Sequence, residues 1–168
     1  LIPIEKLYLG TNHQQAIETL RQLETFGFSG NHIIAEPCNR NTALAIGLMA
    51  KVLVDKDPDA VMSVFPADHV ITDSESFIKV LQKAETLAQK GFLVTLGIPP
   101  TRPETGFGYL QQGSKIEGYE GVCHVKQFVE KPDLNTAKLY LEEGNYFWNC
   151  GVFVWKATTL LEELQQYA

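Results

Sequence analysis

The sequence predicts an α/β fold: a largely parallel β-sheet flanked by helices, followed by a section that is partly antiparallel. Three observations support this prediction. In the first half of the chain, short apolar segments alternate with segments of helical periodicity, the order expected for parallel strands joined by helices. Residues 60–65 form an apolar run typical of a central strand covered on both faces. The second half mixes extended segments, which favours antiparallel pairing there.

The elements of the first half are marked by apolar periodicity and by the residues that end them. Strands are predicted at 6–11, 32–35, 60–65 and 92–98. Helices are predicted at 13–26, at 42–54, and from a capping box of Thr72 and Glu75 to a stop at Gly91. The helix 42–54 is apolar nearly all round, so it is predicted to be mostly buried. The strand 92–98 is also predicted to be buried.

The second half is predicted to contain three strands and two helices. The strands are at 109–112, 122–129 and 151–154. Asp133 and Gly144 are suited to cap and to stop a short helix at 134–143. A last helix is predicted at 158–167.

The composition is that of one globular domain. The chain has 168 residues, of which 45% are hydrophobic and 20% charged, and its net charge is -6. This charge argues against non-specific binding to nucleic acid, which needs a basic surface. Three widely separated cysteines fit neither a zinc site nor a disulfide framework, which favours a cytoplasmic protein. No apolar run is long enough for a bilayer, so no membrane contact is expected, and no signal peptide is recognisable.

A polar motif follows the predicted strand 32–35. Glu36 precedes Pro37, so its backbone is extended, and its carboxylate could accept the two donors on one edge of guanine. Asn41 and Thr42 open a helix whose free N–H groups suit an anion or a base carbonyl. The alternative is that Glu36 forms a surface ion pair with Arg40 and that Asn41 only caps the helix.

A second motif, Phe65 to His69, follows the apolar run 60–65. A carboxylate at this position, that of Asp68, is well placed for Mg²⁺, which binds one or two carboxylates together with substrate phosphates. The alternative is a turn in which Asp68 bonds its own backbone. His69 could act as a ligand or a base, although a lone histidine is more often structural.

The second half carries further polar residues at strand ends. Gly106 and Gly108 precede a predicted strand and could let backbone groups approach a sugar hydroxyl, although a plain turn is the alternative. Glu130 and Lys131 close another strand, where the lysine could pair with a phosphate. An exposed ion pair of the two is the alternative. Asn149, within an aromatic segment, would need hydrogen-bond partners if buried.

Together these motifs resemble those of the bacterial mannose-1-phosphate guanylyltransferases. The similarity includes the nucleotidyltransferase half of fused phosphomannose isomerase/guanylyltransferase enzymes. The matching segments occur in the family's order and cover nearly the whole chain; they are 34–43, 65–71, 97–109, 128–132 and 148–153.

The resemblance implies a Rossmann-like nucleotidyltransferase fold and an enzyme that transfers GMP from GTP to mannose 1-phosphate with Mg²⁺ as cofactor. It also allows for a homo-oligomer. It implies that the nucleotide is bound by Glu36, Pro37, Arg40, Asn41 and Thr42. It implies that the sugar phosphate is bound by Gly108, Tyr109, Glu130, Lys131, Asn149 and Gly151. Asp68, as the metal ligand, and Lys131 are the residues it implies for catalysis.

The chain departs from the family pattern in two respects. It has no match to the glycine-rich loop G-G-x-G-x-R-L-x-P-L, and it lacks the family's second metal-binding aspartate. Residues 1–168 are therefore expected to be the central part of one catalytic domain, truncated at both ends, with a nucleotide-binding half at 1–98 and a sugar-phosphate-binding half at 99–168. A gap between strands 6–11 and 60–65 is expected, and the 168 residues alone are expected to be inactive.

Two alternatives to this function remain. The substrates could be another pair of sugar 1-phosphate and nucleoside triphosphate, since mannose and glucose differ at one hydroxyl. The chain could instead be a non-catalytic nucleotide-binding domain, which the missing glycine-rich loop would favour.

Overall fold

The computed structural model describes residues 2–37 and 41–167, and of Asn41 the backbone alone. Helices and strands alternate through the first half, as predicted. The strands are β1 Leu9–Asn12, β2 Ile33–Glu36, β3 Val61–Val64, β4 Val94–Ile98, β5 Tyr109–Lys115, β6 Cys123–Val129 and β7 Tyr146–Lys156. The helices are α1 His13–Leu23, α2 Asn41–Lys56, α3 Ser74–Ala88, α4 Leu134–Glu143 and α5 Ala157–Tyr167.

The strands form two sheets, one of a parallel pair and one that contains antiparallel pairs. In the first sheet, β1 and β2 pair in parallel, from Leu9 opposite Ile33 to Asn12 opposite Glu36. The second sheet has five strands in the order β3-β7-β5-β6, and β4 also pairs with β7. Here β5 is antiparallel to both β6 and β7. The predicted α/β fold with a partly antiparallel section is therefore confirmed, and β1 and β3 lie in different sheets, as expected.

The chain divides into two compact units. The first unit contains the residues up to Ser63, Val70–Leu93 and the residues from Val154 onwards. The second unit contains Val64–His69 and Val94–Phe153. The hydrophobic core of the second unit is a cluster of Tyr109, Ala137, Tyr146 and Trp148, against which Tyr140 packs.

Helix α4 shows how local residues define an element. Asp133 accepts a hydrogen bond from the backbone N–H of Thr136 at 2.8 Å, and Gly144 ends the helix in the left-handed conformation. Both roles were predicted, and so were the bounds. Helix α3 differs from its prediction, since its cap is Asp73, which accepts from the N–H of Ser76 at 3.0 Å. The predicted capping box at Thr72 was wrong by one residue because the Asp73 carboxylate is the stronger acceptor.

Helix α2 is not mostly buried, contrary to the prediction. Ile46 and Ala50 are buried, but Leu44 is 54% exposed and Leu48 is 37% exposed. An ideal Cβ atom at Gly47 would lie 2.9 Å from Leu164 Cδ1, so α5 packs closely against one side of α2. An apolar composition predicts burial only where another element covers the helix.

The predicted burial of β3 and β4 was also wrong. Met62 is buried in β3, but its neighbours are half-buried, and Ile98 of β4 is 47% exposed. Within the part of the chain that the structure describes, β3 pairs with β7 alone and stands at the end of its sheet. A strand at an edge is covered less completely than a central one, although its sequence is equally apolar. Strand β7 begins earlier than predicted, because the aromatic segment at 146–150 continues it.

Among the helices described, none combines the length and the apolar composition that a membrane span requires.

Candidate functional site

Three of the residues predicted to bind a sugar lie side by side across three strands of the second unit. The register places Tyr109 of β5 opposite both Val129 of β6 and Trp148 of β7. One residue further along, Gly108 therefore lies between Glu130 and Asn149. The backbone N–H of Asn149 donates to the Gly108 carbonyl at 2.8 Å, which fixes one side of this arrangement. We call Gly108, Glu130 and Asn149 the three-strand row.

The side chains of the three-strand row share one face of the sheet. Directly opposed residues of antiparallel strands point to the same face. An ideal Cβ atom on Gly108 would lie 3.0 Å from Glu130 Oε2 and 3.1 Å from Phe128 Cζ, so both side chains lie over this glycine. Glycine at this position lets the carboxylate approach the backbone closely.

Tyr109, in contrast, points to the opposite face. It is fully buried in the aromatic cluster, together with Trp148, and its hydroxyl donates to the Glu104 carbonyl at 2.9 Å. The structure therefore does not bring the side chain of Tyr109 to the face that carries Glu130 and Asn149. A role for it in binding sugar phosphate stays a prediction.

The carboxamide of Asn149 is held by two donors. Its Oδ1 accepts from the Thr95 hydroxyl at 3.0 Å and from the Gly151 N–H at 3.2 Å. Gly151 has a φ of 71°, a backbone conformation that is strained for any residue with a side chain. An ideal Cβ atom there would lie 3.2 Å from Pro66 Cγ. The loop that carries Asp68 thus passes next to Gly151. The structure brings two predicted motifs, 65–69 and 148–151, into contact.

Thr95 did not emerge from the sequence as a functional residue. It lies in β4, within an apolar strand, and no motif marks it. Only the partner of its hydroxyl, Asn149, links it to the site.

Lys131 and Glu130 form an exposed ion pair, one of the arrangements considered from the sequence. Lys131 Nζ lies 3.3 Å from Glu130 Oε1, and the side chains are 63% and 59% exposed. Lys131 is also the one non-glycine residue in the described part of the chain with a positive φ, at 45°. This left-handed conformation is unfavourable for a lysine and is typical of positions where function requires the side chain.

Asp68 is exposed in a turn after β3. Among the described residues its carboxylate has no hydrogen-bond or ion-pair partner, so the alternative in which it bonds its own backbone is not observed. The described residues also include no group of three or more His, Cys, Asp or Glu side chains that could hold a metal ion. A lone accessible carboxylate is compatible with Mg²⁺ that is held largely by substrate phosphates, although it cannot hold the ion by itself.

Glu104 organises the turn that leads into Gly108, and it too was assigned no role from the sequence. Its Oε1 accepts from the N–H of Gly106 at 3.0 Å, and its Oε2 lies 3.1 Å from Arg102 Nη2. These contacts hold the pKa of the Glu104 carboxyl below its usual value, the hydrogen bond from Gly106 contributing most. The Arg102 guanidinium in turn lies over the Trp148 ring, 5.4 Å from its centroid.

Cys150 lies beside Asn149 but does not have the features of a nucleophile. Its thiol donates to the Leu96 carbonyl at 3.3 Å, and burial raises its pKa. A raised pKa keeps the sulfur protonated, whereas reactive cysteines need the thiolate. Cys150 is therefore a half-buried side chain that contributes to packing.

The described residues among those predicted to bind a nucleotide lie in the first unit. Glu36 is the last residue of β2, is half-buried and pairs in register with Asn12. Pro37 and Thr42 are exposed, and Asn41 is the first residue of α2. Arg40 lies outside the described residues, and with it the alternative ion pair to Glu36. The structure thus keeps this motif at the junction between a strand and a helix.

Comparison with known proteins links these motifs to one family. The family model described as "Nucleotidyl transferase" matches residues 3–168. A curated relative from Salmonella montevideo, named mannose-1-phosphate guanylyltransferase, is 43% identical over 158 residues. The match covers 92% of this chain and 33% of that relative. The chain thus spans about a third of the length of the curated relatives it matches.

Two solved structures have the same fold. A structure from Helicobacter pylori, described as mannose-6-phosphate isomerase, superposes with a TM-score of 0.81 at 33% identity, covering 95% of this chain and 59% of that one. A structure from Thermus thermophilus, described as mannose-1-phosphate geranyltransferase, has a TM-score of 0.80 at 31% identity and covers 100% of this chain and 51% of that one.

Proposed function

The chain belongs to the nucleotidyl transferase family, and from this premise we propose that the protein carrying it transfers GMP from GTP to mannose 1-phosphate. The products would be GDP-mannose and pyrophosphate. The observation that carries the proposal is the three-strand row, which places Glu130 and Asn149 on one face of the sheet with a glycine between them. The name of the Salmonella montevideo relative supports the choice of substrates.

In the proposed reaction a phosphate oxygen of mannose 1-phosphate attacks the α-phosphorus of GTP, and the bond from that phosphorus to the pyrophosphate oxygen breaks. Because the sugar phosphate attacks GTP directly, the protein forms no covalent bond to either substrate. Catalysis therefore consists of positioning the substrates and of stabilising charge. Mg²⁺, held by Asp68 and the phosphates, would neutralise negative charge on the phosphates. A reducing, cytoplasmic setting and a homo-oligomer stay predictions.

The sugar phosphate would be recognised in the second unit. The Glu130 carboxylate can accept from sugar hydroxyls, and the Asn149 amide can donate to them. The Lys131 ammonium would pair with the phosphate in place of its present partner, Glu130. Because that ion pair is exposed, exchanging it for a phosphate costs little.

Guanine would be recognised in the first unit by Glu36. Guanine presents two donors, the ring N1–H and the exocyclic amine, and a carboxylate can accept both at once. Adenine lacks this pair of donors. Pro37, Arg40, Asn41 and Thr42 complete the proposed nucleotide contacts.

The proposal is tested by assaying the protein expressed from its complete gene, with the 168-residue chain assayed in parallel. We expect pyrophosphate release and GDP-mannose formation from GTP and mannose 1-phosphate with Mg²⁺, and loss of both on chelation. Because the 168 residues contain no glycine-rich phosphate loop, we expect them alone to bind GDP-mannose without turnover.

Matched assays separate the alternatives. Faster turnover with UTP or dTTP, or with glucose 1-phosphate, would show that the substrates are another pair. Nucleotide binding without turnover by the product of the complete gene would show a non-catalytic domain. Absence of both binding and turnover would reject the proposal altogether.

A further inference from the structure

The orientation of the Asn149 carboxamide is determined by its neighbours. The oxygen and nitrogen of an amide are assigned from their hydrogen-bond partners. The backbone N–H of Gly151 can only donate, so the Asn149 atom that faces it at 3.2 Å must be the oxygen. Thr95 Oγ1 lies 3.0 Å from that same oxygen and supplies a second proton.

This orientation leaves the amide nitrogen available. Among the residues that the structure describes, Asn149 Nδ2 has no hydrogen-bond partner, so its two N–H groups can donate to an acceptor on a ligand. The carboxylate of Glu130, on the same face, can only accept. A sugar hydroxyl both donates and accepts, so this pair of side chains suits a hexose with neighbouring hydroxyl groups.

We propose that Thr95 is a positioning residue for sugar recognition, which acts by holding Asn149 with its amide nitrogen towards the sugar. The inference rests on the proposed function, because it takes the ligand at Asn149 to be the hexose of the substrate. Thr95 is half-buried and does not need to touch the ligand itself. Its effect on binding passes through one hydrogen bond to Asn149.

The surroundings of Thr95 favour this role over a merely structural one. Its hydroxyl lies between two acceptors of β7, Asn149 Oδ1 at 3.0 Å and the Val152 carbonyl at 3.3 Å. Because a hydroxyl carries one proton, the shorter contact to Asn149 is the better bond. Thr95 is β-branched and lies in a strand, so its χ1 is restricted and the hydroxyl is held in place before a ligand arrives. Without it, Gly151 alone would orient the amide.

The experiment measures the affinity of the protein expressed from its complete gene for GDP-mannose and for GDP by calorimetry. Thr95→Val keeps the shape and removes the hydroxyl. We expect the Kd for GDP-mannose to rise about five- to tenfold, the size of one neutral hydrogen bond, while the Kd for GDP stays unchanged. Thr95→Ser, which restores the hydroxyl, should recover most of the affinity. Should Thr95→Val not fold, Thr95→Ala takes its place.

A double-mutant cycle shows whether Thr95 acts through Asn149. In the background of Asn149→Ala, Thr95→Val should have no further effect on the Kd for GDP-mannose. Thr86→Val is the matched control, since the Thr86 hydroxyl donates to the Gln82 carbonyl within α3 of the first unit, and its removal should change neither affinity.

Three outcomes would overturn the inference: equal loss of GDP and GDP-mannose binding, an additive cycle, or unchanged binding in Thr95→Val. If the wild-type protein neither binds GDP-mannose nor turns over GTP and mannose 1-phosphate, the proposed function itself fails, and this is seen before any variant is made.

Discussion

The two compact units hold their predicted ligand-binding residues in different ways. In the first unit, Glu36, Pro37 and Thr42 are near neighbours in the chain, at the point where β2 ends and α2 begins. In the second unit, Gly108 precedes β5, Glu130 follows β6 and Asn149 lies in β7, and the register of these strands brings the three together. Local backbone determines the first arrangement, and tertiary structure determines the second. Substitutions of Glu36, Pro37 or Thr42 should therefore change recognition alone, whereas substitutions in the three-strand row should change stability as well.

The largest expected effect is the loss of turnover in Asp68→Asn. This variant tests whether a residue of the second unit that lies outside the three-strand row can be replaced without loss of stability. Asp68 belongs to the second unit but is exposed and has no partner among the described residues, so its loss should leave the thermal midpoint unchanged. In the protein from the complete gene, turnover should fall by about 10² or more, as when a charge-stabilising group is removed. The measurement is pyrophosphate release at increasing Mg²⁺ concentration. Normal turnover, or loss of the fold, would show that Asp68 is structural.

The second largest effect is expected on kcat/KM in Glu36→Gln, a substitution in the first unit. Glutamine keeps one acceptor oxygen and replaces the other with a donor that faces a guanine donor. We expect kcat/KM for GTP to fall more than tenfold, in line with about 1.5–3 kcal/mol for a lost charged hydrogen bond. The value for ATP should fall much less. An unchanged ratio between GTP and ATP would place base recognition in backbone groups near Asn41, and a lowered thermal midpoint would contradict the comparison.

A pair of glycines, one in each unit, tests the comparison directly. An added Cβ at Gly108 would lie 3.0 Å from Glu130 Oε2 and 3.1 Å from Phe128 Cζ, whereas at Gly10, in β1, nothing lies within 4 Å. Gly108→Ala should lower the free energy of unfolding by about 1–3 kcal/mol and weaken the binding of GDP-mannose. Gly10→Ala should change stability by no more than about 0.5 kcal/mol. If both substitutions lowered the free energy of unfolding in urea by the same amount, strand register would not constrain the second unit more tightly than the first.

The smallest effects concern the two aspartate caps, Asp73 of α3 in the first unit and Asp133 of α4 in the second. Hydrogen bonds from the backbone N–H groups of Ser76 and Thr136 hold the pKa of the respective carboxyl below its usual value. A depressed carboxyl pKa contributes stability that is complete above the unfolded pKa and is lost as the pH falls through the folded pKa.

Alanine at either cap should therefore lower the thermal midpoint by a few degrees at pH 7, and the loss should shrink below about pH 4. Thermal scans of Asp73→Ala and Asp133→Ala at both pH values measure this. If the thermal midpoint fell by the same amount in acid as at pH 7, the charge of the carboxylate would contribute nothing to stability.

The sequence predicts best where the determining residues are adjacent. Helix α4 was predicted with its cap and its stop, since Asp133 and Gly144 act on their own neighbours. The burial of α2 was not predictable, because Leu44 and Leu48 depend on which elements cover them. The site residues were predicted by type, but the position of Gly108 between Glu130 and Asn149 depends on pairing that no single motif encodes. Thr95 was missed for the same reason, because it acts through a distant partner.

The left-handed backbone at Lys131 links the phosphate contact proposed for this residue to the stability of its turn. An asparagine tolerates this conformation far better than a lysine does, so the chain keeps a residue that is less suited to its own turn. Lys131→Asn should raise the thermal midpoint while weakening the binding of mannose 1-phosphate, and a lowered midpoint would show that the lysine itself stabilises the turn. Engineering for heat resistance alone would select against Lys131, and in doing so would remove the group proposed to hold the substrate's charge.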